Sequence, residues 1–222
     1  MSFYDRLTQE TATERTRFLS IPLVRSALRS GASKTVYVAF LTEAYHHVKH
    51  TFPLLALAAS RTPDERYQDA LVGYMVEERG HEKWILDDIR AMGGDAEAVR
   101  LGTPGPATRV MVAFAHHAIE HVSPYGMLGS VHVLEGMSVL LAEQLAGALK
   151  RGFGAEGEPG FSYLTSHGSL DQEHVVFFRK LVDGFDAPEV QAIVIDHAKM
   201  FYRLYGDIFR DLGSIWELDH AA

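Results

Sequence analysis

Apolar residues recur along most of the chain at intervals of three and four positions, and alternation with a period of two is nearly absent. That spacing places apolar side chains on one face of an α-helix. The pattern therefore predicts an all-α protein. Seven helices are expected, over about residues 3–29, 33–60, 62–93, 105–121, 123–153, 160–183 and 187–212.

Proline and glycine mark the ends of several of these predicted helices. Pro53 predicts a kink or a break in the second helix, since its ring removes a backbone hydrogen bond. Glycines concentrated between residues 152 and 160 predict a loop. No repeat or change of composition divides the chain, so we expect one helical domain over residues 1–222. An N-terminal helix (about 3–29) would precede a core bundle (about 33–212).

Composition restricts the chemistry that such a bundle can carry. The 222 residues include 12 His and no Cys, which excludes disulfides, thiolate-bound metals and thiol nucleophiles. The net charge of −8 argues against nucleic-acid partners, which require a basic surface. The chain has no signal peptide and no apolar stretch of 18 residues, so we expect a cytoplasmic protein that does not enter membranes. Any metal site must use imidazole and carboxylate groups.

Acidic residues and histidines interrupt the apolar faces of four predicted helices. In chain order they are Glu43, then Glu78-x-x-His81, then Glu135, then Asp171-x-x-His174. Dinuclear carboxylate sites in helical bundles take a lone Glu from two helices and a Glu-x-x-His pair from each of two others. An unpaired buried carboxylate is costly, whereas two divalent cations would balance four of them. The pattern thus predicts a dinuclear site, and its hard ligands suit iron or manganese.

Single members of this set have simpler explanations. Glu78 taken alone could form an ion pair with Lys83 or Arg79 on the helix surface. His50 shares a predicted helix face with Glu43 and is a candidate extra ligand, but a core or edge position fits it equally well. Glu135 is harder to explain in this way, because its neighbours in sequence are apolar.

Three segments, residues 77–94, 123–138 and 166–178, resemble a known family. They are similar to the heme-oxygenase-like diiron oxidases, also described as iron-containing redox enzymes and related to thiaminase II and pyrroloquinoline-quinone synthase. The His-x-x-x-Asp-x-x-His run over residues 167–174 is the most specific element. The resemblance covers about residues 33–212 and implies a seven-helix heme-oxygenase-like bundle. It implies as metal ligands Glu43, Glu78, His81, Glu135, His167, Asp171 and His174.

The resemblance also implies a function. It predicts a non-heme diiron oxidase or oxygenase, in which two iron ions and dioxygen oxidise a small organic substrate. Manganese shares these ligands, and the family differs in the ligand of its third helix, so Glu77 is an alternative to Glu78. An external electron donor and a homodimer are compatible with such an enzyme. The absence of Cys argues against thiaminase activity, and the position of the first histidine, His46, argues against heme.

Two other functions fit the same residues. One is a metal-free oxidase or binding protein of the pyrroloquinoline-quinone-synthase kind, in which the histidines and acids contact the substrate. The other is a ferritin-like protein that oxidises iron itself, since the order of the ligands fits that fold as well.

Overall fold

The computed structural model describes residues 1–154 and 159–221, without the side chains of residues 167–173 and 218–221. The described residues form α-helices and no strand, which confirms the predicted all-α fold. A π-helical turn, Ala118–Val122, joins two of the helices. In chain order the α-helices are α1 (Phe3–Glu10), α2 (Ala12–Leu19), α3 (Pro22–Ser30), α4 (Lys34–Val48), α5 (Thr51–Arg61), α6 (Glu65–Glu78), α7 (His81–Ala91), α8 (Ala96–Leu101), α9 (Pro106–His117), α10 (Gly126–Phe153), α11 (Ser162–Val182) and α12 (Pro188–Ala221).

The predicted number of seven helices is too low, because three of the predicted helices are interrupted and α8 lies outside all seven. The first is divided at Thr11 and again before Pro22, which takes the first position of α3. Proline fits there because the first turn of a helix leaves its N–H groups unbonded. The second predicted helix breaks at residues 49–50, so that Pro53 falls in the first turn of α5. The break predicted from Pro53 is thus confirmed.

The third predicted helix is divided at Gly80. This residue has φ 98°, a conformation that glycine adopts without steric cost. Glu78 ends α6 and His81 begins α7, so the two candidate ligands lie on separate helices. Helix α6 begins at Glu65, three residues after the predicted start of this region, and the Asp64 side chain caps it by accepting a hydrogen bond from the Tyr67 N–H.

Helix α10 lies at the centre of the fold. It packs against α11, α12 and α3, and its buried face includes Leu128 and Val133, which are fully shielded from solvent. Gly129 allows close approach of α12, because a Cβ atom there would lie 2.7 Å from the backbone nitrogen of Ala198. Glu135 therefore belongs to a helix that packs against several others. In the part of the chain that the structure describes, no helix has the length and apolar character needed to cross a membrane.

Candidate metal centre

Three of the predicted ligands converge in the interior. Glu78 at the end of α6, Glu135 in α10 and His174 in α11 each place one ligand atom within 4.8 Å of the other two. Their side chains are 9%, 12% and 7% exposed, respectively. Metal–ligand bonds to nitrogen and oxygen measure about 2.0–2.2 Å, so the ligands of one ion lie within about twice that distance of each other. The three residues have the donor types of a metal site, and their atoms lie close to the spacing that ligands of a single ion have.

The imidazole of His174 lies between two carboxylates. Its Nε2 is 2.6 Å from Oε2 of Glu77, and its Nδ1 is 3.5 Å from Oε1 of Glu135. Metal-binding histidines usually donate their second ring N–H to a carboxylate, which sets the orientation of the ring. Glu77, 57% exposed, is placed to accept from Nε2 and leave Nδ1 for a cation. The consecutive residues Glu77 and Glu78 thus take different positions around the cluster.

His81 lies beside the cluster of three. Its Nδ1 is 3.1 Å from Oε2 of Glu78, and its ring stacks on Trp84 with centroids 4.2 Å apart. The side chain is buried, but its ligand atoms do not belong to the converging group. In this arrangement His81 contacts the carboxylate of the candidate ligand Glu78.

Tyr74 is a residue of the site that sequence reasoning missed. It lies one helical turn before Glu78 on the same face of α6, and its ring meets that of His174 edge-on with centroids 5.8 Å apart. Burial raises the pKa of Tyr74. The negative charges of Glu135 on α10 and of Glu77 and Glu78 on α6 raise it further. The four-residue spacing from Glu78 was the available signal, but a tyrosine on an apolar helix face resembles an ordinary core residue.

Glu43 is not part of the converging group. Its two carboxylate oxygens accept hydrogen bonds from the backbone N–H of Gly105 at 3.0 and 3.2 Å, and one also accepts from the Thr108 hydroxyl. The carboxylate thereby caps the N-terminus of α9, where the unbonded N–H groups and the helix dipole favour a negative charge. The structure thus places Glu43 at a helix end, and its role as a metal ligand stays a prediction.

Asp88 has a similar position, and sequence reasoning did not identify it. Its carboxylate accepts from the N–H and hydroxyl of Ser162 at 3.0 and 2.8 Å, and from the N–H of Tyr163 at 2.8 Å. Asp88 therefore caps α11, the helix that carries His174. Burial raises the pKa of Asp88, and the three hydrogen bonds oppose that shift.

Three candidate ligands remain, and the structure describes the side chain of only one of them, His50. His167 and Asp171 lie on α11 before His174, and their side chains are outside the described residues. His50 lies beyond the end of α4, so it does not continue the helix face of Glu43 as expected. Its ring lies 6.0 Å from that of His116, and it does not join the converging group.

A cavity of about 180 Å³ extends from the cluster into the core. Tyr74, Glu78 and Glu135 contribute to its wall. Among the described residues that line it, Glu78 and Glu135 are the only charged ones, and most of the others are apolar. These include Phe40, Leu55, Met111, Val131, Leu141 and Phe209.

Solved structures with this fold come from several kinds of protein. A domain of unknown function with a heme oxygenase-like fold from Shewanella denitrificans superposes with a TM-score of 0.88 at 23% identity, covering 98% of this chain and 94% of that one. A TenA homolog from Pseudomonas syringae gives 0.79 at 13% identity, covering 96% and 93%. Heme oxygenase-1 from the cyanobacterium Synechocystis, in complex with heme, gives 0.79 at 10% identity, covering 100% and 96%. At these identities the likeness establishes the heme oxygenase-like fold.

Sequence comparison identifies the family. No curated protein is significantly similar to the chain. A family model described as iron-containing redox enzyme matches residues 38–206, which include α5 to α11 and the three converging residues. The resemblance found in the sequence is thus confirmed, and the chain belongs to the iron-containing redox enzyme family.

Proposed function

We propose that the protein is a non-heme diiron oxidase or oxygenase that uses dioxygen to oxidise a small apolar substrate. The observation that carries the proposal is the convergence of Glu78, Glu135 and His174 at the end of an apolar cavity. Two carboxylates held together in a protein interior repel each other, and a cation removes that penalty. Membership of an iron-containing family favours iron as the cation.

The first iron would bind to Glu78, Glu135 and His174, and the second ion is expected at His167 and Asp171. In the sequence these two residues precede His174 by seven and by three positions, a spacing that is typical of one helix face. Ferrous iron supplies electrons for the reduction of dioxygen. Glu77 would hold the ring of His174 in place, and His81 would hold the carboxylate of Glu78.

The cavity limits the substrate class. Because the described lining residues include no Lys or Arg, they provide no permanently cationic partner for an acidic substrate at the apolar end of the cavity. A charged substrate group there would lose its hydration without compensation. Aliphatic or aromatic molecules with their reactive carbon or nitrogen near Glu135 fit the cavity best. The apolar walls also keep water away from that end.

Metal analysis of the full chain tests the iron proposal. After anaerobic loading with ferrous iron and removal of excess metal, we expect about two irons per chain. Glu135→Gln should lose most of this iron, because it removes a ligand charge while keeping the side-chain volume. Glu143→Gln is the matched control, as Glu143 lies exposed two turns further along α10. Wild-type protein without iron after loading would refute the proposal and favour the metal-free alternative.

Oxygen uptake then separates the oxidase from a ferritin-like protein. We expect the ferrous protein to consume dioxygen repeatedly when an apolar substrate and an electron donor are supplied. A panel of uncharged aliphatic and aromatic amines, alcohols and hydrocarbons, compared with their carboxylate analogues, tests the substrate class. Continued oxidation of added ferrous iron in the absence of any organic substrate would instead favour the ferritin-like function.

A further inference from the structure

The hydroxyl of Tyr74 is buried beside the cluster of Glu78, Glu135 and His174. The residue is 2% exposed, and within the described part of the chain its hydroxyl has no hydrogen-bond partner. Its position is closely defined, because its ring contacts that of His174 and that of Phe177, with centroid distances of 5.8 and 5.3 Å. The oxygen is therefore enclosed, its ring lies beside that of His174, and Tyr74 lines the same cavity as Glu78 and Glu135.

Two other buried tyrosines satisfy their hydroxyl groups with backbone carbonyls. Tyr37, which lines the same cavity, donates to the carbonyl of Gly160 at 2.8 Å, and Tyr67 donates to the carbonyl of Pro124 at 3.0 Å. A buried hydroxyl without a partner loses its hydration and gains nothing in return. Phenylalanine would fill the same space at position 74 without this cost. The oxygen of Tyr74 therefore indicates a ligand that is absent from the polypeptide itself.

We infer that the oxygen of Tyr74 is a further ligand, as a phenolate, of the ferric ion held by Glu78, Glu135 and His174. This inference rests on the proposed iron site. The phenolic proton leaves to solvent when the metal–oxygen bond forms. Two carboxylates and one phenolate then balance the three positive charges of ferric iron, with His174 as a neutral ligand. A neutral enclosed site of this kind avoids a net buried charge.

Electronic absorption of the iron-loaded protein tests this assignment. A ferric ion bound to phenolate has a broad visible charge-transfer band, and resonance Raman excitation in that band enhances the ring vibrations of the bound tyrosine. We expect both signals in wild-type protein after dioxygen has oxidised the bound ferrous iron to the ferric state. The Raman bands should shift when the protein is produced with ring-deuterated tyrosine. Tyr74→Phe should abolish the band, and Tyr37→Phe should retain it as the matched control.

The outcomes distinguish this inference from the iron proposal. Wild-type protein that binds iron but has no phenolate band would overturn the role of Tyr74 and leave the iron site intact. A band that persists in Tyr74→Phe would overturn it as well. Wild-type protein that binds no iron would refute both proposals. If Tyr74→Phe does not bind iron, the isotope shift in wild-type protein still supports the assignment, provided that the band is unchanged when each of the other cavity tyrosines, Tyr37, Tyr163 and Tyr205, is replaced by phenylalanine. Absence of the shift, or loss of the band in one of these variants, overturns it.

Discussion

Two pairs of interior carboxylates in this protein are stabilised in different ways. Glu43 and Asp88 each accept hydrogen bonds at the N-terminus of a neighbouring helix, α9 and α11 respectively. Glu78 and Glu135 instead approach each other and His174 in the interior. The first pair is complete within the polypeptide, whereas the second has the spacing and charge of a cation site. An acidic residue inside an apolar helix thus indicates a partner, but the fold determines whether that partner is a helix end or a metal.

The largest expected difference between the two pairs concerns iron. Glu78→Gln should weaken iron binding by more than the roughly 10- to 100-fold that loss of an outer-shell partner costs, because a direct ligand is removed. The unfolding free energy of the iron-free protein should not fall, since the substitution relieves repulsion from Glu135. Iron titration and urea unfolding measure the two effects. Iron affinity equal to that of the wild type would remove Glu78 from the site.

His132, three residues before Glu135 on α10, is a buried polar residue with neither kind of partner. It packs against Phe178 and Tyr202, and its Nε2 lies 3.3 Å from the hydroxyl of Thr11. Burial, followed by the charge of Arg15, lowers the pKa of His132 to about 4. In the pH range between about 4 and 6.5, His132 is therefore neutral in the folded protein but protonated in the unfolded chain.

The protein should accordingly lose stability in mild acid. The unfolded state takes up the His132 proton below its ordinary pKa of about 6.5, so this residue lowers the unfolding free energy between pH 6.5 and 4, by at most about 3 kcal/mol. His132→Phe should remove this component. Urea unfolding of the iron-free wild type and variant at several pH values gives the unfolding free energy as a function of pH. The contribution of His132 is the difference between the two slopes of that dependence. Parallel curves for the two proteins would exclude His132 as the source.

Glu77 tests whether the cluster depends on its surroundings. Glu77→Gln keeps a hydrogen-bond acceptor near Nε2 of His174 but removes the charge. We expect iron affinity to fall by about 10- to 100-fold while the number of irons at saturation is unchanged. Glu65→Gln is a suitable control, since Glu65 is an exposed acid at the start of the same helix. A loss as large as that of Glu78→Gln would make Glu77 a direct ligand.

Substitution of Asp88 should have the opposite effect from substitution in the cluster, since it should lower the stability of the protein and leave iron binding unchanged. Asp88→Ala removes the acceptor for three hydrogen bonds at the start of α11, and loss of a helix cap typically costs about 0.5–2 kcal/mol. We expect the unfolding free energy to fall by about 2 kcal/mol, with the number of bound irons unchanged at a temperature where the variant is folded. A decrease in stability below about 0.5 kcal/mol would show that α11 does not depend on this cap.

The sequence predicted the helical fold and the three members of the converging cluster. It did not predict which acidic residues converge in the interior and which cap a helix. Periodicity is a local property, so most helix ends were found, whereas the break at Gly80 was missed because an isolated glycine within a helical pattern is often tolerated. Glu43 meets Gly105 across 62 positions, and Asp88 meets Ser162 across 74. Contacts at such separations depend on how helices pack, which one sequence does not contain.

Glu43 is the residue for which the helix-cap interpretation and the metal-ligand interpretation differ most. Glu43→Gln keeps the shape of the side chain and removes its negative charge from the N-terminus of α9, where such a charge is worth about 0.3–1 kcal/mol. If the carboxylate is a cap, the unfolding free energy falls by up to about 1 kcal/mol and the iron content equals that of wild type. If Glu43 turns towards the metal on iron binding, the variant loses iron as Glu135→Gln does. Iron analysis of both variants, prepared together, decides between a helix cap and the fourth carboxylate of the dinuclear pattern.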